Sequence, residues 1–116
     1  MVRIQGISFL GLGYEEAHHL RILRPLIEKF RDKVDIILTH CEMRRVPLLA
    51  EFKPKLILKG HSGLGRFLVR GVPVIFTAGS KYVKIEWVKN NVNKVEFGSV
   101  YWWGDNIDKR LRKIER

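Results

Sequence analysis

The chain has 116 residues and a mass of 13.6 kDa, which is enough for one domain with a single modest core. Hydrophobic residues make up 46% of the sequence and charged residues 29%, which excludes intrinsic disorder, and no apolar run approaches the roughly 20 residues of a membrane span. The 22 Lys and Arg against 12 Asp and Glu give a net charge of +10, typical either of a protein that attracts phosphate or nucleic acid or of the charge-rich surface of a heat-adapted protein.

The N-terminus and the cysteine content bear on where the protein resides. The first residues lack the long apolar stretch and the small-residue cleavage site of a secretory signal. Cys41 is the only cysteine, which excludes an internal disulfide and a Cys-rich zinc site. We therefore expect a cytoplasmic protein without a membrane partner, folded as one domain over residues 1–116.

The first half of the chain alternates between strand and helix patterns. The predicted elements are, in order, a strand over 5–10, an amphipathic helix over 15–32, a buried strand over 34–39, a short helix over 43–52 and a second buried strand over 55–59. Pro25 lies inside the first helix, so that helix is expected to kink or restart there. His18 and His19 are expected to be partly exposed residues of the same helix.

The second half changes to an antiparallel pattern. The predicted elements are strands over 67–69 and 72–76 around an Arg70-Gly71 turn, a half-exposed strand over 82–88, a turn at 90–91, a strand over 94–103 and a helix capped by Asp105. The fold class that follows is α/β, with a short parallel β-α-β core plus antiparallel strands.

Two histidines follow the two apolar strands of the first half. His40 comes directly after residues 34–39, and His61 follows residues 55–59 at a distance of one glycine. The fourteen residues between these strands, 41 to 54, are enough for a right-handed parallel crossover. Neighbouring parallel strands end about 5 Å apart at the edge where ligands gather in open α/β sheets. His40 and His61 are therefore candidate ligands for a metal or a phosphate, with two hydrogen-bonded loop histidines as the alternative.

Three segments together resemble the C-terminal half of a calcineurin-like metallophosphoesterase. They are Asp-Ile-Ile-Leu-Thr-His at 35–40, Lys-Pro-Lys-Leu-Ile-Leu-Lys-Gly-His-Ser-Gly at 53–63 and Gly-Val-Pro-Val-Ile-Phe-Thr-Ala-Gly-Ser at 71–80. In that family a strand ends in a metal-binding His, and a Gly-His-x-His turn and a hairpin follow. The resemblance is strongest over 34–88 and implies half of a metallophosphoesterase-like α/β sandwich, with His40 and His61 as metal ligands.

The sequence also departs from that family. None of the Asp-x-His, Gly-Asp and Gly-Asn-His-Asp/Glu motifs precedes Val34, and Gly63 replaces the second His of Gly-His-x-His. The resemblance thus implies a truncated, degenerate domain without hydrolytic activity. A separate alternative is that Met1 is a late start or the relic of a longer gene. We expect one weakly bound divalent transition metal, such as zinc, manganese or nickel, with Cys41 or a carboxylate as a further candidate ligand. A buried structural cysteine is the alternative for Cys41.

A second class of function follows from the end of the chain. Tyr-Trp-Trp at 101–103 precedes a basic helix, which combines stacking surfaces with cations that attract phosphates. The alternative prediction is a basic nucleic-acid-binding or scaffold protein whose candidate residues are Trp102, Trp103, Lys109, Arg110, Arg112 and Lys113.

The apolar strands also predict an oligomer. Strands 34–39 and 56–59 have the pattern of strands covered on both faces, whereas the long helix covers only one face. A bare second face would expose several hundred Å² of apolar surface, beyond what soluble monomers usually tolerate. We therefore expect a homo-oligomer, with a two-fold dimer favoured and Trp87, Trp102 or Trp103 as an anchor of the contact.

Overall fold

The computed structural model describes residues 1–60, 64–77 and 82–98. Strands and helices alternate up to residue 60, and the described residues 64–77 and 82–98 form strands, as the sequence patterns predict for these segments. The elements are β1 (Val2–Ile4), β2 (Ile7–Leu12), α1 (Tyr14–His18), α2 (Leu20–Phe30), β3 (Ile36–Thr39), a 3₁₀ turn (Met43–Arg45), α3 (Val46–Leu49), a second 3₁₀ turn (Ala50–Phe52), β4 (Leu56–Lys59), β5 (Leu64–Val69), β6 (Val72–Thr77), β7 (Tyr82–Val88) and β8 (Asn91–Gly98).

Six strands form one mixed sheet in the order β1-β2-β3-β4-β6-β5. The four central strands β2, β3, β4 and β6 are parallel, whereas β1 and β5 are antiparallel edge strands. The connections from β2 to β3 and from β3 to β4 run through helices, so the chain contains the predicted β-α-β core and extends it by one further parallel unit. The mixed α/β class with parallel and antiparallel strands is confirmed.

Three hairpins share one kind of tight turn. In each turn both central residues have positive φ, the type I′ geometry whose twist matches that of the flanking strands. The turns are Gln5-Gly6, Arg70-Gly71 and Lys89-Asn90. The second was predicted at these residues. The third begins one residue earlier than predicted, so β8 starts at Asn91 and not at residue 94.

The first helix breaks at His19 and not at Pro25. His19 has an extended backbone (φ −108°, ψ 107°), and its carbonyl accepts the N–H groups that open α2. The break leaves the carbonyl of His18 outside the helix, where it accepts a hydrogen bond from Arg45 Nη2 at 3.3 Å. Pro25 then lies in the second turn of α2. Because proline has no N–H, the hydrogen bond to the carbonyl of Arg21 is lost there, but the helix continues.

The sheet separates two apolar cores. The helix-side core contains Leu10, Leu12, Ala17, Leu23, Ile27, Val34, Ile37, Cys41, Val46, Leu49, Ala50, Phe52, Ile57, Val72 and Val74. On the opposite face, the two-stranded sheet β7-β8 covers a second core of Ile36, Leu56, Leu58, Ile75 and Val95. The face that the sequence reasoning left bare is thus covered by the chain's own hairpin, because Val95 and its neighbours fold back on β3, β4 and β6. The argument for a dimer from a bare face is wrong, and the dimer itself stays a prediction.

Several sequence predictions lie outside the described residues. They concern His61, the turn at 78–80, the end of the last predicted strand over 99–103 and the helix from Asp105. Among the helices in the described residues, none is long and apolar enough to span a membrane.

Candidate functional site

The register of the central strands brings His40 beside Gly60. Thr39 pairs with Lys59 at the carboxyl ends of β3 and β4, and the N–H of Gly60 donates to the carbonyl of Thr39 at 2.9 Å. A Cβ built on Gly60 would lie only 3.0 Å from Nδ1 of His40. The imidazole of His40 therefore lies directly against the backbone of Gly60, one residue before His61. The predicted position of His40 at this edge is confirmed, whereas His61 lies outside the described residues.

A recess of about 440 Å³ opens on the hairpin side of the same edge, between the large sheet and β7. Its described lining is largely apolar, and Leu38 keeps 42% of its surface exposed. The carboxyl-edge recess is lined by Phe9, Leu38, Thr39, Leu58, Gly60, Thr77, Val83 and Ile85. It provides a concave surface for a ligand beside the strand end that carries His40.

Lys59 places a positive charge under this edge. Its side chain is fully buried on the helix side, where Nζ donates to the carbonyl of Gly60 at 3.1 Å and lies 4.8 Å from the ring centre of Phe76. Among the described residues, no carboxylate forms an ion pair with it. The sequence reasoning did not select Lys59, although it lies two residues after Ile57 and so shares its inward face.

Cys41 lies on the other side of the sheet from His40. Consecutive residues of an extended segment point to opposite faces, and the Cys41 side chain is completely buried in the helix-side core. Burial raises the pKa of the Cys41 thiol, against smaller opposing effects of a hydrogen bond with Thr39 and the charge of Lys59. The protonated thiol is a poor metal ligand, so the structure does not bring Cys41 and His40 together as a donor pair.

The described donors do not fit a two-metal centre. Within residues 1–60, 64–77 and 82–98, no three His, Cys, Asp or Glu side chains come close enough to share a metal ion. His40 is the one predicted ligand that the described part of the chain places at the carboxyl edge, and His61 is its expected partner.

His18 is a half-buried helix residue, in line with its prediction as partly exposed, although its side chain keeps only 8% of its surface exposed. Its ring stacks on Tyr14 with the ring centres 4.2 Å apart, and Nε2 accepts the N–H of Glu42 at 3.1 Å. Because Nε2 is an acceptor, the neutral ring carries its proton on Nδ1, 4.0 Å from Oε2 of Glu42. Burial lowers the pKa of His18, opposed by the carboxylate of Glu42. The residue thus fastens α1 to the segment that follows His40, while His19 is exposed.

The candidate residues for nucleic-acid binding lie beyond the described residues. They are Trp102, Trp103, Lys109, Arg110, Arg112 and Lys113. No family model, curated protein or solved structure matches the chain.

Proposed function

We propose that the chain is a metallophosphoesterase-like domain that retains ligand binding at the carboxyl edge of its sheet and lacks hydrolytic activity. The observation that supports this most is the contact of the His40 imidazole with Gly60, in strands whose ends are in register. The order of a strand, His, strand, Gly-His and hairpin is the order of the family segments that the sequence resembles.

The proposed ligand is a single divalent transition metal ion, such as zinc, manganese or nickel. Imidazole nitrogens of His40 and His61 would hold it, and the ion would supply a positive centre for an oxyanion. Two protein donors are fewer than the three or four of ordinary zinc sites, so we expect the ion to be weakly bound. The buried charge of Lys59 weakens binding of a cation further and favours an anion, which makes inorganic phosphate the second ligand to test.

Hydrolysis is not part of the proposal. Two-metal phosphoester cleavage needs two ions about 3.5–4 Å apart and enough ligands to hold both. Residues 1–33 of this chain do not contain the motifs that supply the other ligands and the general acid in the family. Losses of this kind typically cost about 10²-fold each, so we expect no measurable turnover of simple phosphodiesters with Mn²⁺ or Ni²⁺.

Equilibrium dialysis against Zn²⁺, and separately against phosphate, tests the proposal. We expect about one zinc ion per chain, held weakly, and loss of that binding in the double variant His40→Ala, His61→Ala. His19→Ala is the matched control, because this histidine is exposed at the break between α1 and α2, and the variant should bind like the wild type. Two tightly held ions per chain, or binding that survives the double variant, would refute the proposal.

The alternative is a basic nucleic-acid-binding or scaffold protein. Its support is the charge distribution, since residues 59–116 carry 12 basic and 5 acidic residues. Oligonucleotide binding that weakens steeply as the salt concentration rises, without retention of metal, would favour this alternative.

A further inference from the structure

A second concave site lies at the opposite end of the sheet from His40. It is a groove of about 370 Å³ between the amino ends of β4 and β6 and the overlying strand β8. The polar side chains around it are three cations and two amides, and its described lining includes no carboxylate. We call it the basic groove and define its polar residues as Lys55, Arg66, Asn91, Asn93 and Lys94.

The cations of the basic groove are only partly neutralised. Lys94 forms an ion pair with Glu96 at 3.0 Å. Lys55 donates to the carbonyl of Asn90 and lies 5.5 Å from the ring centre of Trp87. Among the described residues, no carboxylate forms an ion pair with Lys55 or Arg66. Two positive charges thus face the groove without a carboxylate from the described chain.

The rest of the lining is apolar. Pro54, Pro73 and Ile75 contribute to the sheet side, and Val92 and Val95 contribute from β8. Arg66 is paired with Ile75 across β5 and β6, so its position in the groove is fixed by the hairpin register. A few polar groups that converge over an apolar surface are typical of sites for small organic molecules, whose volumes begin near about 300 Å³.

We propose that the basic groove binds a small phosphorylated molecule with an apolar or aromatic body, of the size of a mononucleotide. A phosphomonoester carries about −1.5 to −2 charges at neutral pH, which matches the two uncompensated cations. The planar guanidinium of Arg66 suits two phosphate oxygens at once, and the ammonium group of Lys55 adds a point charge. The apolar lining takes the body of the ligand.

The size of the groove favours a small ligand over a nucleic acid. Single-stranded nucleic acid is usually held along a basic channel with aromatic platforms on which successive bases stack. In the basic groove the aromatic neighbour is Trp87, which is only partly exposed and has the ammonium group of Lys55 over its ring. The site is independent of the proposed function, because it is formed at the amino ends of the strands and uses neither His40 nor Gly60.

Calorimetric titration with adenosine 5′-monophosphate as the probe tests this proposal. We expect measurable binding by the wild type, with adenosine and inorganic phosphate each at least about tenfold weaker because each offers half of the contacts. Arg66→Gln should weaken binding of the monophosphate about tenfold, and Lys55→Gln provides a second variant should the first fail to fold. Arg70→Gln is the matched control, since Arg70 lies in the same hairpin outside the groove and should change affinity less than about twofold.

Three results would overturn the proposal. The first is no binding of the monophosphate, or binding of adenosine with equal affinity. The second is equal weakening by Arg70→Gln and Arg66→Gln, which would mean that general charge and not the groove is responsible. The third is binding of a short oligothymidylate in place of the monophosphate, which would assign the groove to a nucleic-acid backbone.

Discussion

The substitution Gly60→Ala is expected to weaken zinc binding at the carboxyl edge of the sheet while changing the free energy of unfolding only slightly. The new Cβ would lie 3.0 Å from Nδ1 of His40, whereas ordinary van der Waals contact begins near 3.4 Å. His40 is exposed, so its ring can move away by about 0.4 Å or more while the backbone stays in place. Metal–nitrogen distances in proteins are held within about 0.2 Å, so this shift should weaken zinc binding about tenfold.

The free energy of unfolding should change much less. Gly60 does not have a positive φ, so alanine is compatible with its backbone and restricts the unfolded chain by about 0.4–1 kcal/mol. This gain offsets the crowding against His40, and we expect a net change within about 1 kcal/mol in urea denaturation. Gly11→Ala in strand β2 of the same sheet is the control, because a Cβ there meets nothing within 4 Å. Unchanged zinc affinity in Gly60→Ala, or an equal loss in Gly11→Ala, would refute the reasoning.

Three further predictions concern the stability and assembly of the fold. Burial lowers the pKa of His18, so the unfolded chain binds a proton at this residue more readily than the folded chain does. The free energy of unfolding should therefore fall as the pH drops below about 6.5. Urea denaturation across this pH range should show that His18→Gln removes much of this loss of stability and that His19→Gln does not. Val95→Ala, at a side chain that is 3% exposed beneath the hairpin, should cost about 2 kcal/mol in the same assay, whereas Val88→Ala at 45% exposure should cost less than about 0.5 kcal/mol; similar costs would mean that the hairpin does not cover the sheet. Light scattering at micromolar concentration should give a mass of twice the 13.6 kDa chain, because we expect a dimer. The expected contact is edge strand β5, where Leu68 is 73% exposed, and a stable monomer would contradict the dimer.

The parallel core could be predicted from the sequence because local features of the chain determine it. Two apolar runs at a crossover distance predict parallel neighbours, and the structure pairs Thr39 with Lys59 as that reasoning requires. The Arg70-Gly71 turn was readable because glycine tolerates the positive φ of a type I′ hairpin. Strand β1 was missed because its three residues, from Val2 to Ile4, are all exposed and show no buried face.

The features that could not be predicted from the sequence depend on contacts between segments that are far apart in the chain. The alternation of apolar and polar residues in β7 and β8 predicts that one side of this hairpin is buried. It does not predict that the buried side covers the six-stranded sheet. The sequence reasoning assigned the covering of that sheet to a second copy of the chain. The position of the His18 ring depends on the backbone N–H of Glu42, which lies 24 residues away in the sequence. The inward position of Lys59 follows from alternation with Ile57. A buried lysine that forms no ion pair with a carboxylate of the described residues contradicts ordinary residue preferences, so it was not selected.

The imidazole nitrogen spectrum of the ¹⁵N-labelled protein during a Zn²⁺ titration tests the central claim most directly. The proposal that His40 and His61 form one ligand site predicts that their resonances change together and saturate at the same zinc concentration. The resonances of His18 and His19 should stay in place, because the ring of His18 is buried against Tyr14 and His19 is exposed elsewhere. Changes confined to His18 and His19, or separate saturation of His40 and His61, would contradict a shared site at the carboxyl edge.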